Sequence, residues 1–161
     1  MHDLGSSNFW YAPVLHIFFR PSMLTGVEVE GHRIYINGYS RIDYARGYIQ
    51  DLPDTQFVIE DYARYHQRAD VVTAWYPFVT ANLVLAWRMP LSVLTPHVLF
   101  SRVAETLSPH GLFVMVNQGR EEATIAACWC TKVGLVRYGS CELKATVRPR
   151  LPAVVSCWMR S

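Results

Sequence analysis

The 161 residues carry 51% apolar and 17% charged side chains, a balance that supports a folded core and excludes a disordered chain. A net charge of +2, from 15 basic and 13 acidic residues scattered along the chain, gives no indication of a nucleic-acid surface. The uncharged run at 71–87, interrupted by Pro77 and Asn82, falls short of the ~20 residues that cross a bilayer and reads as a buried strand followed by a loop.

The chain opens on Asp3-Leu4-Gly5-Ser6-Ser7-Asn8-Phe9, an acid, one glycine and a small polar pair of the kind that follows a buried strand. Only Met1 and His2 precede it. Residues 9–20 read as a strongly apolar helix, with Pro13 suited to its first turn. Residues 24–30 are short and β-branched and predict a strand. Ser40-Arg41-Ile42-Asp43 has the pattern of a capping box and opens a helix to about Ile49. Strands follow at 56–61 and 69–75. Thr95-Pro96 starts a helix whose apolar residues recur at helical spacing over 98–107. Ser108-Pro109-His110-Gly111 is expected to break it and release an apolar strand at 111–117. Glu121 and Glu122 suit a helix N-terminus, and that helix ends near Gly134. Runs at 142–148 and 153–160, joined by Pro149-Arg150-Leu151-Pro152, form an expected antiparallel pair.

Four cysteines come without a framework. Cys128 and Cys130, two apart on an expected helix, point to opposite sides and cannot share a metal, and Cys141 and Cys157 lack partners at ligand spacing. Reduced thiols, and first residues that do not read as a signal peptide, predict a cytoplasmic protein with no metal. Apolar strands alternating with helices predict one α/β domain: a doubly wound, mostly parallel sheet with helices on both faces and a C-terminal antiparallel pair.

In such a sheet, ligands bind beyond the carboxyl ends of the strands. Asp3, Glu28 and Asp61 are expected at successive strand ends. Glu28 follows Gly5 by 23 residues, near the ~20-residue offset of an acid that takes ribose hydroxyls, so a nucleoside is the expected ligand. The opening turn lacks the G-x-G-x-x-G that a pyrophosphate needs, which weighs against a nicotinamide-dependent oxidoreductase. Three carboxylates suit a nucleoside that carries positive charge.

At this point the chain resembles the class I S-adenosylmethionine-dependent methyltransferases over nearly its whole length. Residues 3–9 resemble the family's first motif, 26–33 its second-strand motif, 59–64 its third, 69–78 its fourth, and 107–117 its fifth strand. The resemblance implies S-adenosylmethionine as cofactor, with Asp3, Gly5 and Ser7 around its methionine part and Glu28 on the ribose. Asp61 would meet the adenine amino group, Tyr62 would pack on the ring, and Asp70 and Trp75 would line the site. Tyr76 and His66 are the candidates for acting on the acceptor, and His97 is a weaker one. Tyr39, Arg41 and Tyr44 read as a solvated helix face.

The sequence departs from the family in three places. The first turn keeps only Gly5, and Phe9 stands where a small residue would let the methionine end approach. Trp75-Tyr76-Pro77-Phe78 replaces the Asn/Asp-Pro-Pro-aromatic pattern of enzymes that methylate amide or exocyclic nitrogens, so the acceptor is unassigned. Most of the central first strand is missing, which predicts that the natural protein starts upstream or that another segment fills the gap. Losing five apolar residues there forfeits on the order of 10 kcal/mol. The alternative expectation is a methyltransferase-like module that binds without catalysis.

Overall fold

Strands and helices alternate along most of the chain in a computed structural model that describes residues 1–143 and 152–161. The chain divides into two units, Met1–Tyr65 and His66–Ser161.

The first unit holds three parallel strands: β1 (His2–Leu4), β2 (Leu24–Val27) and β3 (Thr55–Val58), in the order β3-β2-β1. The first strand is therefore present, though only three residues long. His2, Asp3 and Leu4 are buried and pair with Thr25, Gly26 and Val27, and Thr25 N donates to the Met1 carbonyl at 3.0 Å. Between β1 and β2 runs α1 (Ala12–Phe19), with a proline in its first turn and a left-handed Arg20 (φ 47°) at its end. Helix α2 (Arg41–Ile49) opens on the expected reciprocal cap: Ser40 accepts from Asp43 N, and Asp43 accepts from Ser40 N at 2.8 Å. Phe9, Ala12, Leu15, Leu24 and Ala45 form the buried centre of this unit, with Ile49, Leu52 and Phe57 packed around them.

The second unit contains β4 (Ala69–Trp75), α3 (Ala81–Ala86), α4 (Pro96–Thr106), β5 (Leu107–Gln118), α5 (Gly119–Lys132), β6 (Leu135–Leu143) and β7 (Ala153–Arg160). Its strand order is β4-β5-β7-β6, with β4 parallel to β5 and β7 antiparallel to both of its neighbours. Within each unit the described strands pair in parallel except for the antiparallel pairing at the C-terminus, the α/β class expected from the sequence.

Three local expectations are corrected. The run after β4 contains helix α3 rather than only loop. Ser108-Pro109-His110-Gly111 does not separate α4 from β5. The strand starts at Leu107, and a register shift carries the pairing from Ala69↔Leu107 to Val71↔Leu112, so Pro109, which has no N–H to give, is looped out within the strand. The partner of β7 is 135–143, of which only 142 and 143 fall in the run where a strand was expected. The remainder of the expected 142–148 run, and most of its Pro149–Pro152 connection, lies outside the described residues.

Candidate functional site

The turn after β1 is built from three left-handed residues, Gly5 (φ 67°), Ser7 (φ 54°) and Phe9 (φ 58°). Gly5 N and Ser6 N both donate to the Val27 carbonyl, at 2.9 and 3.3 Å, and this ties the turn to the end of β2. Phe9 then swings its ring away from the turn and into the core. It is fully buried over Gly26, where a Cβ would stand 2.7 Å from the ring. The expectation that Phe9 narrows the approach to the turn is therefore corrected: the glycine that accommodates this ring lies on β2. No atom lies within 4 Å of the position a Cβ would take on Gly5.

This turn delivers Ser7 N to Glu28 Oε2 at 2.7 Å. Glu28, immediately after β2, is 5% exposed, and its other oxygen accepts from Glu30 N and from Arg41 Nη1, each at 2.8 Å. Arg41 is buried as well, 6% exposed, and its Nη1 lies 3.6 Å from Glu30, which also holds Arg33. Arg41 is therefore not on a solvated face as the sequence suggested; it neutralises the acid expected to take ribose. The two carboxylate oxygens offer about four lone-pair sites. Three are filled, which leaves room for about one further donor. Two buried polar atoms, Ser6 Oγ in the turn and Arg41 Nε, have no hydrogen-bond partner.

Asp3 sits in the middle of β1 with no exposed surface and accepts from the Tyr11 hydroxyl at 2.8 Å. Burial first, then the charge of Asp3 and its hydrogen bond, hold the Tyr11 phenol well above its usual range, so it stays protonated and donates. Nothing local in the sequence marks this role, because Tyr11 lies within an apolar run. Asp61 is exposed and accepts from Ala63 N at 3.0 Å, which caps the short 3-10 turn Tyr62–Arg64. Tyr62 is 4% exposed, with its hydroxyl 3.3 Å from His2 Nδ1. The first unit thus brings Ser7, Glu28, Glu30 and Arg41 into one hydrogen-bonded group, while Asp61 is engaged in its own turn.

The remaining candidates belong to the second unit. Asp70 is the exposed second residue of β4, and Trp75 is its last, 41% exposed. Tyr76, equally exposed and left-handed (φ 58°), donates its N–H to the Val116 carbonyl at 2.8 Å. His66 Nδ1 lies 3.0 Å from Arg102 Nη1, and Arg102 also reaches Glu105. His97 packs beside Trp129 with ring centroids 6.4 Å apart. Cys130 is buried in α5 and Cys128 exposed. Among the described residues no group of three or more His, Cys, Asp or Glu could hold a metal ion, and no helix is long and apolar enough to cross a membrane.

His2 gives the first unit a pH dependence. Its ring is 3% exposed and stands edge-on to Tyr65 at 5.0 Å. Burial, with a smaller push from the N-terminal ammonium, lowers its pKa from 6.5 to about 4. The unfolded chain therefore binds a proton that the folded chain refuses between those values. Stability is full above pH 6.5 and falls as pH drops toward 4, by up to about 3 kcal/mol. Urea melts across this range should show the decline, and His2→Gln should flatten it.

No protein-family model and no curated protein matches the sequence. Solved structures do match. The N-methyltransferase NodS from Bradyrhizobium japonicum WM9 aligns with a TM-score of 0.68 at 10% identity, over 99% of this chain and 84% of that one. Geranyl diphosphate C-methyltransferase from Streptomyces coelicolor A3(2), solved with Mg2+, geranyl diphosphate and S-adenosyl-L-homocysteine, aligns with a TM-score of 0.69 at 10% identity, over 99% and 72%. A putative sarcosine dimethylglycine methyltransferase from Galdieria sulphuraria gives 0.68 at 9% identity, over 99% and 77%. Likeness at such low identity speaks to architecture alone, and on that ground this chain has the fold of the S-adenosylmethionine-dependent methyltransferases.

Proposed function

We propose that this chain binds S-adenosylmethionine at the turn between β1 and α1 and transfers the methyl group to an acceptor not yet identified. The observation that carries the reading is the Ser7 N to Glu28 Oε2 bond, which closes a glycine-containing turn onto the acid at the end of β2. The same cofactor chemistry appears in the bound S-adenosyl-L-homocysteine of the Streptomyces and Bradyrhizobium structures. When bound, the cofactor supplies a methyl group activated by its sulfonium centre.

Gly5 leaves space beside the turn, Ser7 and Glu30 hold the Glu28 carboxylate in place through their backbone amides, and Glu28 accepts from a ribose hydroxyl at its remaining lone-pair site. Accepting from two hydroxyls requires Arg41 to withdraw. Asp3, held by Tyr11, contributes negative charge from the interior. By resemblance alone, Asp61, Tyr62, Asp70 and Trp75 are further candidates for cofactor binding. Tyr76 and His66 remain the candidates for orienting the acceptor, with alignment rather than proton transfer supplying most of the acceleration. The cysteines, which lie in the sequence without a disulfide framework, support a cytoplasmic setting for this activity.

A second reading, a module on the same fold that does not bind the cofactor, is favoured by the buried Arg41–Glu28 pair, which satisfies the acid without a ligand. Isothermal calorimetry of the folded chain with S-adenosylhomocysteine and S-adenosylmethionine separates the two. Micromolar binding with about one site per chain supports the first reading, and no heat at millimolar ligand supports the second.

A further inference from the structure

Helix α1 is apolar on both sides. Its inward residues Ala12 and Leu15 are buried in the core of the first unit, as a helix covering a sheet requires. Its outward residues are not polar: Val14, Ile17 and Phe18 are 64%, 72% and 77% exposed, and Trp10, in the turn leading into the helix, is 62% exposed. A helix that is hydrophobic all round is normally covered on all sides. We propose that this outer face is the interface of a homodimer, in which α1 of one copy lies antiparallel against α1 of a second.

Three features select a second copy as the occupant. The first is area. With about 150–250 Å² for each aromatic side chain and about 100 Å² for each aliphatic one, the exposed parts of these four residues present roughly 400–450 Å² of apolar surface. A pair of copies would bury about 800–900 Å² from these side chains alone, close to the ~1,000 Å² of a specific interface. The second is symmetry. Val14 lies midway in sequence between Trp10 and Phe18, so a two-fold axis near Val14 sets each copy's Trp10 against the other's Phe18 and Val14 against Val14, the self-matching that an isologous contact needs. The third is charge. An interfacial membrane helix combines its apolar face with a polar face rich in Lys and Arg, whereas the opposite face of α1 is core and its only basic residue is His16.

The test is the solution mass of the full chain by sedimentation equilibrium between about 1 and 100 µM. The unmodified chain should sediment as a dimer of the 18.4 kDa chain. Val14→Glu and Phe18→Glu, both at exposed positions, should raise the dimer dissociation constant at least a hundredfold, while their near-UV circular dichroism stays that of a folded chain. A monomeric unmodified chain at 100 µM overturns the proposal, as does a dimer indifferent to both substitutions. Co-flotation of the chain as a monomer with phosphatidylserine vesicles would assign the face to lipid instead and also overturn it. If a variant loses its folded spectrum, Trp10→Cys and Phe18→Cys chains mixed in equal amounts supply a second test. With the exposed Cys128 and Cys141 replaced by serine in both chains, mild oxidation should cross-link unlike chains in preference to like ones, and equal yields would count against the antiparallel arrangement.

Discussion

Arg41→Met should raise affinity for S-adenosylhomocysteine at least tenfold, whereas Glu28→Ala should both abolish binding and lower stability by about 3 kcal/mol. The two residues are partners at 2.8 Å, with side chains only 6–7% exposed, so the effects follow from which charge is left behind. Removing one member of a buried pair strands the other, at a cost of about 3–5 kcal/mol. After Glu28→Ala the stranded group is the Arg41 guanidinium, whose Nε already lacks a partner and whose nearest remaining acid is Glu30 at 3.6 Å. Glu30 offsets part of the loss, which places the cost near the lower end of that range. After Arg41→Met the stranded group is the Glu28 carboxylate, which keeps both backbone donors, Ser7 N and Glu30 N. Its cost is smaller, and the lone pair that Arg41 occupied becomes available to a ribose hydroxyl. A tenfold gain corresponds to about 1.4 kcal/mol, the size of one charge-assisted hydrogen bond. Urea denaturation and calorimetry on the two variants give both readouts. A folded Arg41→Met chain that binds no tighter than the unmodified one would show that the pair does not compete with the ligand. If neither chain binds, the cofactor reading itself fails.

Arg41 also shows where sequence reasoning stops. The helix it opens was legible, because a capping box is a local pattern and Ser40 and Asp43 form one. Glu28 was expected at a strand end, and it follows β2 directly. Their ion pair joins residues 13 apart through the fold, and no local periodicity marks it. One physical signal was available: a cation in the first turn of a helix is unfavourable against the helix dipole, so an arginine at that position calls for an acid elsewhere. Strand β6 escaped notice for a different reason. Among the described residues it pairs only with β7, and it is exposed from Val136 to Leu143, so it carries no alternation of apolar residues. Asp61 illustrates the converse case: it was expected as the last residue of a strand at 56–61, but β3 ends at Val58 and the carboxylate is used in closing its own turn.

Phe9→Ala should be the most damaging single change in the first unit, costing about 3–5 kcal/mol in the range typical of a buried phenylalanine. The ring has no exposed surface and fills the space that Gly26 leaves on β2. Gly26→Ala alone should cost about 1–3 kcal/mol by overpacking, since its new methyl would stand 2.7 Å from the Phe9 ring. The two changes share one space, so they should not add. In a Phe9→Ala background the methyl of Ala at 26 enters the vacated cavity, and the double variant should be at least 1 kcal/mol more stable than the sum of the single effects implies. The same cycle reaches the candidate site. Phe9 stands two residues after Ser7, in a turn whose left-handed conformation places Ser7 N on Glu28, and the buried ring anchors the far end of that turn. Losing the anchor should therefore weaken S-adenosylhomocysteine binding under conditions where the variant remains folded. Additive stabilities would mean that the ring and the glycine are not coupled, and unchanged binding would mean that the turn holds its shape without the core beneath it.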